Sequence, residues 1–409
     1  MPQDLVSITR SAFTSAFGDE PSIVALAPSR VELLGNHTDY NGGLVLAAAI
    51  DRFTCVAGRP ITGNRAQVAA ANFAGQMDQF NLARVGSEQP RPEGWPRYVR
   101  GVAWAIQQEY GDFPDGFEAA IAGDVPLGAG LSSSASLQAA LAMFLRAAGL
   151  FGSGDLDDAA RMKLARVLKK SENDYVGVGS GLLDQFSVLF GRANHALLLD
   201  CRSGEYERLP LGSPAPAIVV CDSKTSRRLA DGMYNQRRAE CERVVAYFQP
   251  IRGDRAVTQL RDISLEELHA EWQNLDPIGR MRARHVLTEN DRVRRGAEAL
   301  KAGEIAKFGK LMGASHASSR DDFQNSSTAL DALVESAEAA PGFLGGKLSG
   351  AGWAGCTVNL VDHDKTEAFS ESVRIEYARR MGIAPTIHIC RAADGASGSL
   401  LESTSGRDS

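Results

Sequence analysis

Apolar side chains recur along the chain at two different spacings, and this mixture predicts strands and helices throughout. Residues 2–17 show the spacing of an amphipathic helix, whereas residues 22–34 and 44–57 are apolar runs typical of buried strands. Residues 117–123 alternate as a strand does and lead into a glycine-rich turn. Further helices are predicted at 132–148, 156–175, 232–247, 264–273, 278–301, 304–316 and 328–339, and further strands at 195–200, 216–222, 355–361 and 385–391.

The order of these elements predicts an α+β protein, because neither half shows the regular strand–helix alternation of a doubly wound sheet. A linker rich in glycine and proline at 204–215 is the predicted domain boundary, which gives domains at 1–205 and 206–409. Residues 85–96 are predicted to form a loop. The small, polar tail from residue 392 to residue 409 is expected to fray.

Composition narrows the class of protein. The chain has 409 residues, of which 44% are apolar and 23% charged, and its net charge of −6 gives no electrostatic case for binding nucleic acid or an anionic membrane. No apolar run reaches the roughly 18 residues of a membrane span, and the N-terminus does not resemble a signal peptide. The six cysteines are scattered. They include no C-x-x-C pair, so we expect buried free thiols in a reducing cytoplasm rather than a disulfide or zinc framework. We also expect a monomer.

Residues 28–43 form the most informative segment, in which polar and aromatic side chains follow a short apolar strand. They read Pro-Ser-Arg-Val-Glu-Leu-Leu-Gly-Asn-His-Thr-Asp-Tyr-Asn-Gly-Gly. The histidine offers one donor and one acceptor, and an ionised aspartate offers only acceptors, so together they suit a polyhydroxy ligand.

A second segment, residues 125–136, predicts an anion site. It reads Val-Pro-Leu-Gly-Ala-Gly-Leu-Ser-Ser-Ser-Ala-Ser between a strand and a helix, so backbone amides and the helix dipole would face a ligand. It is neither a Walker loop nor a dinucleotide fingerprint. The glycines alone fit a serine-capped helix after a turn equally well, but a cap needs only one of the three serines.

Two carboxylates occupy positions that are unusual for charged groups. Glu172 lies on the apolar face of its predicted helix, and Asp184 lies in an apolar run after Gly179 and Gly181. A buried carboxylate needs a partner or a cation. Taken alone, each fits an ordinary carboxylate at a turn or a helix end better than it fits a functional group.

Together, these segments resemble the galactokinases, a group within the GHMP family of small-molecule kinases. The resemblance runs from about residue 11 to residue 391 and includes a third glycine-rich motif at 345–357. It implies a two-domain fold with the active site in the cleft between the domains. It also implies phosphorylation of the anomeric hydroxyl of a hexose, with galactose the leading substrate and ATP and Mg²⁺ as cofactors.

The resemblance also implies a role for individual residues. The implied catalytic residues are Asp184 and Arg30, and the implied sugar-binding residues are Asn36, His37, Asp39, Gly181 and Tyr234. The implied nucleotide-binding residues are Trp95, Tyr98, Gly128, Gly130, Ser132, Ser133 and Ser134, and the implied magnesium ligands are Ser134 and Glu172. Considered alone, Trp95, Tyr98 and Tyr234 fit core packing as well.

Two positions depart from the family pattern. Glu32 stands where galactokinases usually have Asn, and Asn36 stands where they usually have Glu. Asn36 is neutral, which predicts weaker discrimination at one end of the sugar and leaves another hexose or a uronic acid as alternative substrates. Four strand residues span roughly 13 Å, so Glu32 is not expected to replace the missing acid.

Three further expectations complete the sequence interpretation. A galactokinase-like sugar sensor is disfavoured, because residues 132–136 and Asp184 are intact. A salt-bridged solvent face is expected for Arg237, Arg238, Glu240 and Glu242. Structural roles are expected for His285, His316 and His388.

Overall fold

The computed structural model describes residues 3–152, 156–225, 232–253 and 256–401, and two sheets organise this part of the chain. Its helices are α1 Gln3–Phe17, α2 Trp95–Tyr110, α3 Ser133–Ala147, α4 Asp158–Lys170, α5 Leu183–Phe190, α6 Met233–Phe248, α7 Leu265–Ala270, α8 Pro277–Lys301, α9 Ile305–Ser318, α10 Thr328–Glu338 and α11 Thr366–Met381. Its strands are β1 Ile23–Leu34, β2 Leu44–Ile61, β3 Arg65–Ala70, β4 Gln76–Asn81, β5 Gly116–Gly123, β6 His195–Asp200, β7 Tyr206–Pro210, β8 Ala217–Asp222, β9 Phe343–Ser349, β10 Cys356–Val361, β11 Thr386–Cys390 and β12 Ser397–Leu400. This mixture confirms the predicted α+β class.

The larger sheet combines strands from the first half of the chain with the last described strand. Its order is β12-β1-β2-β5-β3-β4, with β6 paired to β2 and β7 paired to β6. Neighbouring strands are antiparallel except for β3 and β5, which are parallel. The smaller sheet has the order β11-β8-β10-β9 and is antiparallel throughout.

Apolar layers hold the two sheets together. Helices α2, α3 and α5 cover one face of the larger sheet, and α10 and α11 cover the outer face of the smaller one. Between the sheets, residues of β1 and β2 share one core with β8, β10, α8 and α9. Each fully buried Val, Leu or Phe contributes about 1.5–3 kcal/mol, so this shared core fixes the two halves of the chain against each other along β1.

Several element predictions need correction. The tail was expected to fray, but β12 pairs with β1 from Ile23↔Leu400 to Leu26↔Ser397. The predicted linker 204–215 contains β7. The predicted loop 85–96 ends at residue 94, because α2 already begins at Trp95. The predicted helix 156–175 ends as α4 at Lys170, and a π-helical turn follows it. Residues 1–2 and 402–409 lie outside the described part of the chain.

The boundary proposed between residues 205 and 206 stays a prediction. Both β7 and β12 lie beyond it in sequence, yet both join the larger sheet. None of the helices in the described ranges combines the length and apolar character that crossing a membrane requires.

Candidate active site

A cavity of about 660 Å³ opens beside β1, and every site residue named from the sequence lines it. These residues are Arg30, Asn36, His37, Asp39, Trp95, Tyr98, Gly128, Gly130, Ser132, Ser133, Ser134, Glu172, Gly181, Asp184 and Tyr234. They come from β1, the loop after it, the start of α2, the start of α3, the turn after α4, and α5 and α6. The fold therefore brings together groups that lie up to about half the chain apart.

Asp184 and Arg30 form an ion pair in the wall of the cavity. The Arg30 Nε donates to Asp184 Oδ1 at 2.6 Å, and the Arg30 Nη1 donates to the carbonyl of Gly130 at 2.7 Å. The Ser132 hydroxyl donates to the other carboxylate oxygen of Asp184. Asp184 is also the second residue of α5, where the positive end of the helix dipole favours a carboxylate. This group is therefore held in one orientation by three separate elements.

The loop of residues 125–132 turns sharply before α3. Gly128 and Gly130 have φ values of 75° and 79°, which glycine adopts without strain. Ser132 has a φ of 56°, a left-handed conformation that is strained for a residue with a Cβ atom. This backbone path brings the first amides of α3 to the cavity wall, which is the arrangement of an anion site at a helix N-terminus.

Glu172 lies in the π-helical turn Ser171–Val176, and this turn directs its carboxylate to the cavity. Its oxygens accept hydrogen bonds from Ser134 Oγ at 3.3 Å, Ser180 Oγ at 2.8 Å and Gln185 Nε2 at 2.5 Å. Burial, with a smaller contribution from the charge of Asp184, raises the pKa of Glu172. No lysine or arginine among the described residues forms an ion pair with it, so a bound cation would compensate its burial.

The loop that joins β1 to β2, residues 35–43, is here called the β1–β2 loop. Gly35 has a φ of 103°, and a Cβ atom there would lie 2.7 Å from the Cα of Val45. Thr38 donates from its hydroxyl to the carbonyls of Gly35 and Leu44, at 2.8 and 2.7 Å. The loop is therefore held in a compact turn by its own groups.

His37 uses both ring nitrogens within the protein. Its Nε2 donates to the carbonyl of Ala351 at 3.0 Å, and its Nδ1 accepts from the Tyr40 hydroxyl at 2.9 Å. Burial lowers the pKa of His37 to about 3, so the ring is neutral. A sugar contact for His37 stays a prediction, and either ring nitrogen would have to give up a protein partner to make it.

Asp39 is a half-buried carboxylate with few hydrogen-bond partners. Burial, together with the nearby charges of Asp184 and Glu32, raises the pKa of Asp39 to about 6. A Cβ atom on Gly181 would lie only 1.7 Å from Asp39 Oδ2, so the carboxylate rests directly against the Gly181 backbone. The missing side chain at Gly181 therefore makes room for Asp39 at the cavity wall.

The expectation that Glu32 lies far from Asn36 is wrong. Asn36 Nδ2 lies 3.4 Å from Glu32 Oε2, and both residues line the cavity. The pairing of β1 with β2 shifts register between Glu32 and Leu34, and the chain then turns at Gly35. The distance argument treated these residues as one straight strand, whereas the turn folds Asn36 back beside Glu32.

Helix α8 anchors the β1–β2 loop, a role that sequence reasoning missed. Glu289 Oε1 accepts hydrogen bonds from the amides of Gly35 and Asn36 at 2.8 and 3.3 Å. His285 Nε2 donates to the carbonyl of Asn36 at 2.9 Å. Burial alone would raise the pKa of Glu289, but Arg292 and His285 lower it to about 2. The sequence did offer one signal for this role: His285 and Glu289 are polar residues at helical spacing among buried ones in α8.

The predicted solvent face on α6 is only half right. Arg238 and Glu242 form an exposed pair, as expected. Arg237 and Glu240 are instead buried, at 5% and 2% exposure, and they join Arg282 of α8 in one ion network. A buried network of this kind fixes α6 against α8 behind the cavity.

The other end of the cavity is more apolar. Trp95 and Tyr98 open helix α2 there, and both are partly buried. Phe73, Leu127 and Val178 also line this end and leave more than a third of their surface exposed. An apolar slot next to an anion site suits a ligand with a flat ring and phosphates.

Comparison with known proteins agrees with this geometry. Family models described as the galactokinase galactose-binding signature, the GHMP kinase N-terminal domain and the GHMP kinase C-terminal domain match residues 11–60, 97–192 and 297–379. A galactokinase of Roseiflexus sp. (strain RS-1) is 43% identical over 94% of this chain and 95% of its own length. A galactokinase of Chloroflexus aurantiacus is 41% identical over 96% and 97%.

Solved structures give the same relationship. The crystal structure of Lactococcus lactis galactokinase complexed with galactose superimposes with a TM-score of 0.88 at 33% identity, and covers 95% of this chain and 98% of that one. A mevalonate kinase structure matches with a TM-score of 0.62 at 18% identity, over 90% of this chain and 98% of that one, and shows a shared fold.

Proposed function

The chain belongs to the galactokinases of the GHMP kinase family, and from this premise we propose that it transfers the γ-phosphoryl group of ATP to the anomeric hydroxyl of galactose. The observation that supports this most directly is the Arg30–Asp184 ion pair, which lines the cavity between the β1–β2 loop and the start of α3. An oriented carboxylate at the junction of a polar cavity and an anion site is what transfer to a hydroxyl requires.

In this proposal the backbone around the start of α3 holds the β- and γ-phosphates. Gly128, Gly130, Ser132 and Ser133 shape that backbone, and the amides at the helix start attract the negative charge. Arg30 lies beside the transferring group and offsets the charge that develops on it. Asp184 accepts a hydrogen bond from the anomeric hydroxyl and so aims the hydroxyl oxygen at the γ-phosphorus atom. As the new bond from this oxygen to phosphorus forms, the bond between phosphorus and the ADP oxygen breaks, and Asp184 takes up the hydroxyl proton.

The sugar would occupy the polar end of the cavity. Asp39 is half-buried and has unused acceptor capacity, which sugar hydroxyls would satisfy. Gly181 leaves room for this carboxylate, and Tyr234 packs beside His37 with ring centroids 5.3 Å apart. At the apolar end, Trp95 and Tyr98 would flank the adenine.

Magnesium is part of the proposal, and the residues present fit it. Ser134 and Glu172 offer a hydroxyl and a buried carboxylate, which are the oxygen donors that Mg²⁺ prefers. They would hold the ion next to the phosphates, where its charge would offset theirs when it is bound. Among the described residues, no group of three or more His, Cys, Asp or Glu side chains forms a metal cluster, so phosphate oxygens and water would complete the coordination.

We also propose that one chain is the working unit and that it acts in the cytoplasm. Every residue assigned to the site lines one cavity, so the site is complete without a second subunit, and the described cysteines form no disulfide, which suits a reducing compartment.

The decisive test is release of ADP from ATP with a panel of sugars, namely galactose, glucose, mannose and galacturonate. We expect galactose to give the highest kcat/KM and galactose 1-phosphate to be the product. A protein that binds galactose and ATP but releases no ADP would be a sensor rather than a kinase. A different preferred sugar would support the proposed kinase activity but contradict galactose as its substrate.

A further inference from the structure

Glu32 and Lys347 form a buried ion pair in the floor of the polar end of the cavity. Lys347 Nζ lies 2.7 Å from Glu32 Oε1, and the two residues are 0% and 4% exposed. Glu32 comes from β1 and Lys347 from β9, so the pair joins the two sheets. The lysine is covered, whereas the carboxylate lines the cavity.

Asn36 has no hydrogen-bonding capacity left for a ligand. Its Oδ1 accepts from Asn325 Nδ2 at 2.7 Å and from Ser319 Oγ at 3.2 Å. Its Nδ2 donates to the carbonyl of Gly350 at 2.9 Å and to Glu32 Oε2 at 3.4 Å. An amide side chain has two donors and two acceptor positions, and protein groups occupy all four.

Glu32, in contrast to Asn36, has hydrogen-bond acceptor positions that no protein group occupies. An ionised carboxylate has about four acceptor positions, and Lys347 and Asn36 occupy only two of them. Each carboxylate oxygen accepts one of these hydrogen bonds, so each can accept another donor. Of the two residues that depart from the family pattern, Glu32 is the one able to bind a hydroxyl.

The position of Glu32 on β1 indicates which part of the sugar it meets. Arg30 and Glu32 pair in unbroken register with Ala49 and Ala47, so they face the same side of the strand. Two strand residues span roughly 6.6 Å. Arg30 marks the end where the phosphoryl group is transferred, so Glu32 lies near the end of the pyranose that is opposite the anomeric carbon.

We propose that Glu32 is a specificity-determining residue, which accepts a hydrogen bond from a hydroxyl on C4 or C6 of the sugar, while Asn36 only supports the loop. This inference rests on the proposed function. The two departures from the family pattern are then a single exchange. The acid stands at position 32 instead of position 36, the amide stands at position 36 instead of position 32, and the acid remains in the site. An acidic substrate is disfavoured, because Glu32 would repel the carboxylate of a uronic acid and Lys347 is covered.

The test compares galactose, 4-deoxygalactose, 6-deoxygalactose and galacturonate with the wild type and with Glu32→Gln. We expect wild-type kcat/KM to be lower for one deoxy sugar than for galactose, and the variant to reduce that ratio by about tenfold or more, the scale of a hydrogen bond to a charged group. The variant should also raise kcat/KM for galacturonate relative to galactose. Equal losses for galactose and both deoxy sugars would overturn the proposal.

Two further variants separate recognition from folding. Glu32→Gln leaves the Lys347 charge buried without its partner, so the double variant Glu32→Gln with Lys347→Met removes both charges, and thermal unfolding checks that it folds. It should show the same loss of discrimination. The matched variant Asn36→Ala should lower kcat/KM for all neutral sugars by one common factor. Selective loss in Asn36→Ala, with none in Glu32→Gln, would assign recognition to Asn36 instead.

Calorimetric binding of galactose, without ATP, separates this proposal from the proposed function. Weaker galactose binding by Glu32→Gln, with 4- or 6-deoxygalactose binding unchanged, supports the role of Glu32 even if no ADP is released. If the wild type phosphorylates galactose but Glu32→Gln leaves both discrimination ratios unchanged, the specificity role of Glu32 is contradicted and the proposed function is not. A wild type that neither binds nor phosphorylates galactose removes both proposals.

Discussion

At the residue scale, Asp184 is the group on which the proposed chemistry depends most. Asp184→Asn keeps the shape but removes the charge that pairs with Arg30 and accepts from Ser132. We expect kcat for galactose to fall by about 10² or more, the usual scale for a group that handles the reacting proton. The Kd of ATP, measured by calorimetry, should change little. Turnover within a few-fold of the wild type would show that Asp184 is structural.

Glu172 gives a prediction about magnesium. Glu172→Gln replaces a buried carboxylate with an amide, a poorer ligand for a hard cation. The magnesium concentration that gives half-maximal rate should rise, whereas the KM of galactose at saturating magnesium should stay near that of the wild type. An identical magnesium titration for both proteins would mean that Glu172 only caps the turn after α4.

Asp39 gives a prediction about pH. Its pKa is raised to about 6 by burial, so below that value a growing fraction of the free enzyme carries a protonated Asp39 that has lost an acceptor. The KM of galactose should therefore rise as pH falls below 6, by up to about tenfold per unit. Asp39→Asn should bind galactose weakly at every pH and lose this slope. A flat wild-type profile between pH 5 and 7 would rule out ionised Asp39 as the acceptor.

The residue roles could be proposed from the sequence because local motifs carry them, but their partners could not. Glu289 lies 254 residues from Gly35, and Lys347 lies 315 residues from Glu32. No local spacing encodes such contacts, since they depend on how α8 and β9 pack against β1. The same reason explains why Arg237 and Glu240 looked exposed on an isolated helix.

At the element scale, the turn between the π-helical segment and α5 shapes the sugar site. Gly181→Ala would place a methyl group 1.7 Å from Asp39 Oδ2, so Asp39 must move. The KM of galactose should rise strongly while the KM of ATP stays nearly constant. Gly179→Ala is the matched control, because a Cβ atom there lies 3.4 Å from its nearest neighbour, Arg238 Nη1. Equal effects of the two substitutions would contradict close packing at Gly181.

Long periodic elements were predicted well, and short ones were not. Helix α8 was expected at 278–301 and spans Pro277–Lys301. Strand β12 has only four residues and little apolar character, and it forms because β1 offers a free edge. The π-helical turn at Ser171–Val176 has no sequence signature of its own, yet it carries Glu172 to the cavity.

At the scale of the whole molecule, the return of the chain to the larger sheet makes the tail part of the fold. A chain that ends at residue 396 would lose β12 and leave the edge of β1 unpaired at residues 23–26. We expect its Tm to fall by about 5 °C, because a loss of a few kcal/mol in the free energy of unfolding lowers the Tm of a protein of this size by a few degrees. The control is a chain that ends at Leu401, whose amide still bonds Ser22. Equal Tm values for the two chains would show that β12 adds no stability.

The long strand β1 has a consequence for how such an enzyme can change over evolution. All twelve of its residues are buried, and the strand pairs with β2 along its length. A strand in that position opens only when its domain unfolds. Mutations at Arg30 or Glu32 therefore lower the stability of the protein as well as change its chemistry. Leu127 and Val178 line the same cavity from loops and are exposed, so a lineage can change how the cavity binds its ligands there with less risk to the fold.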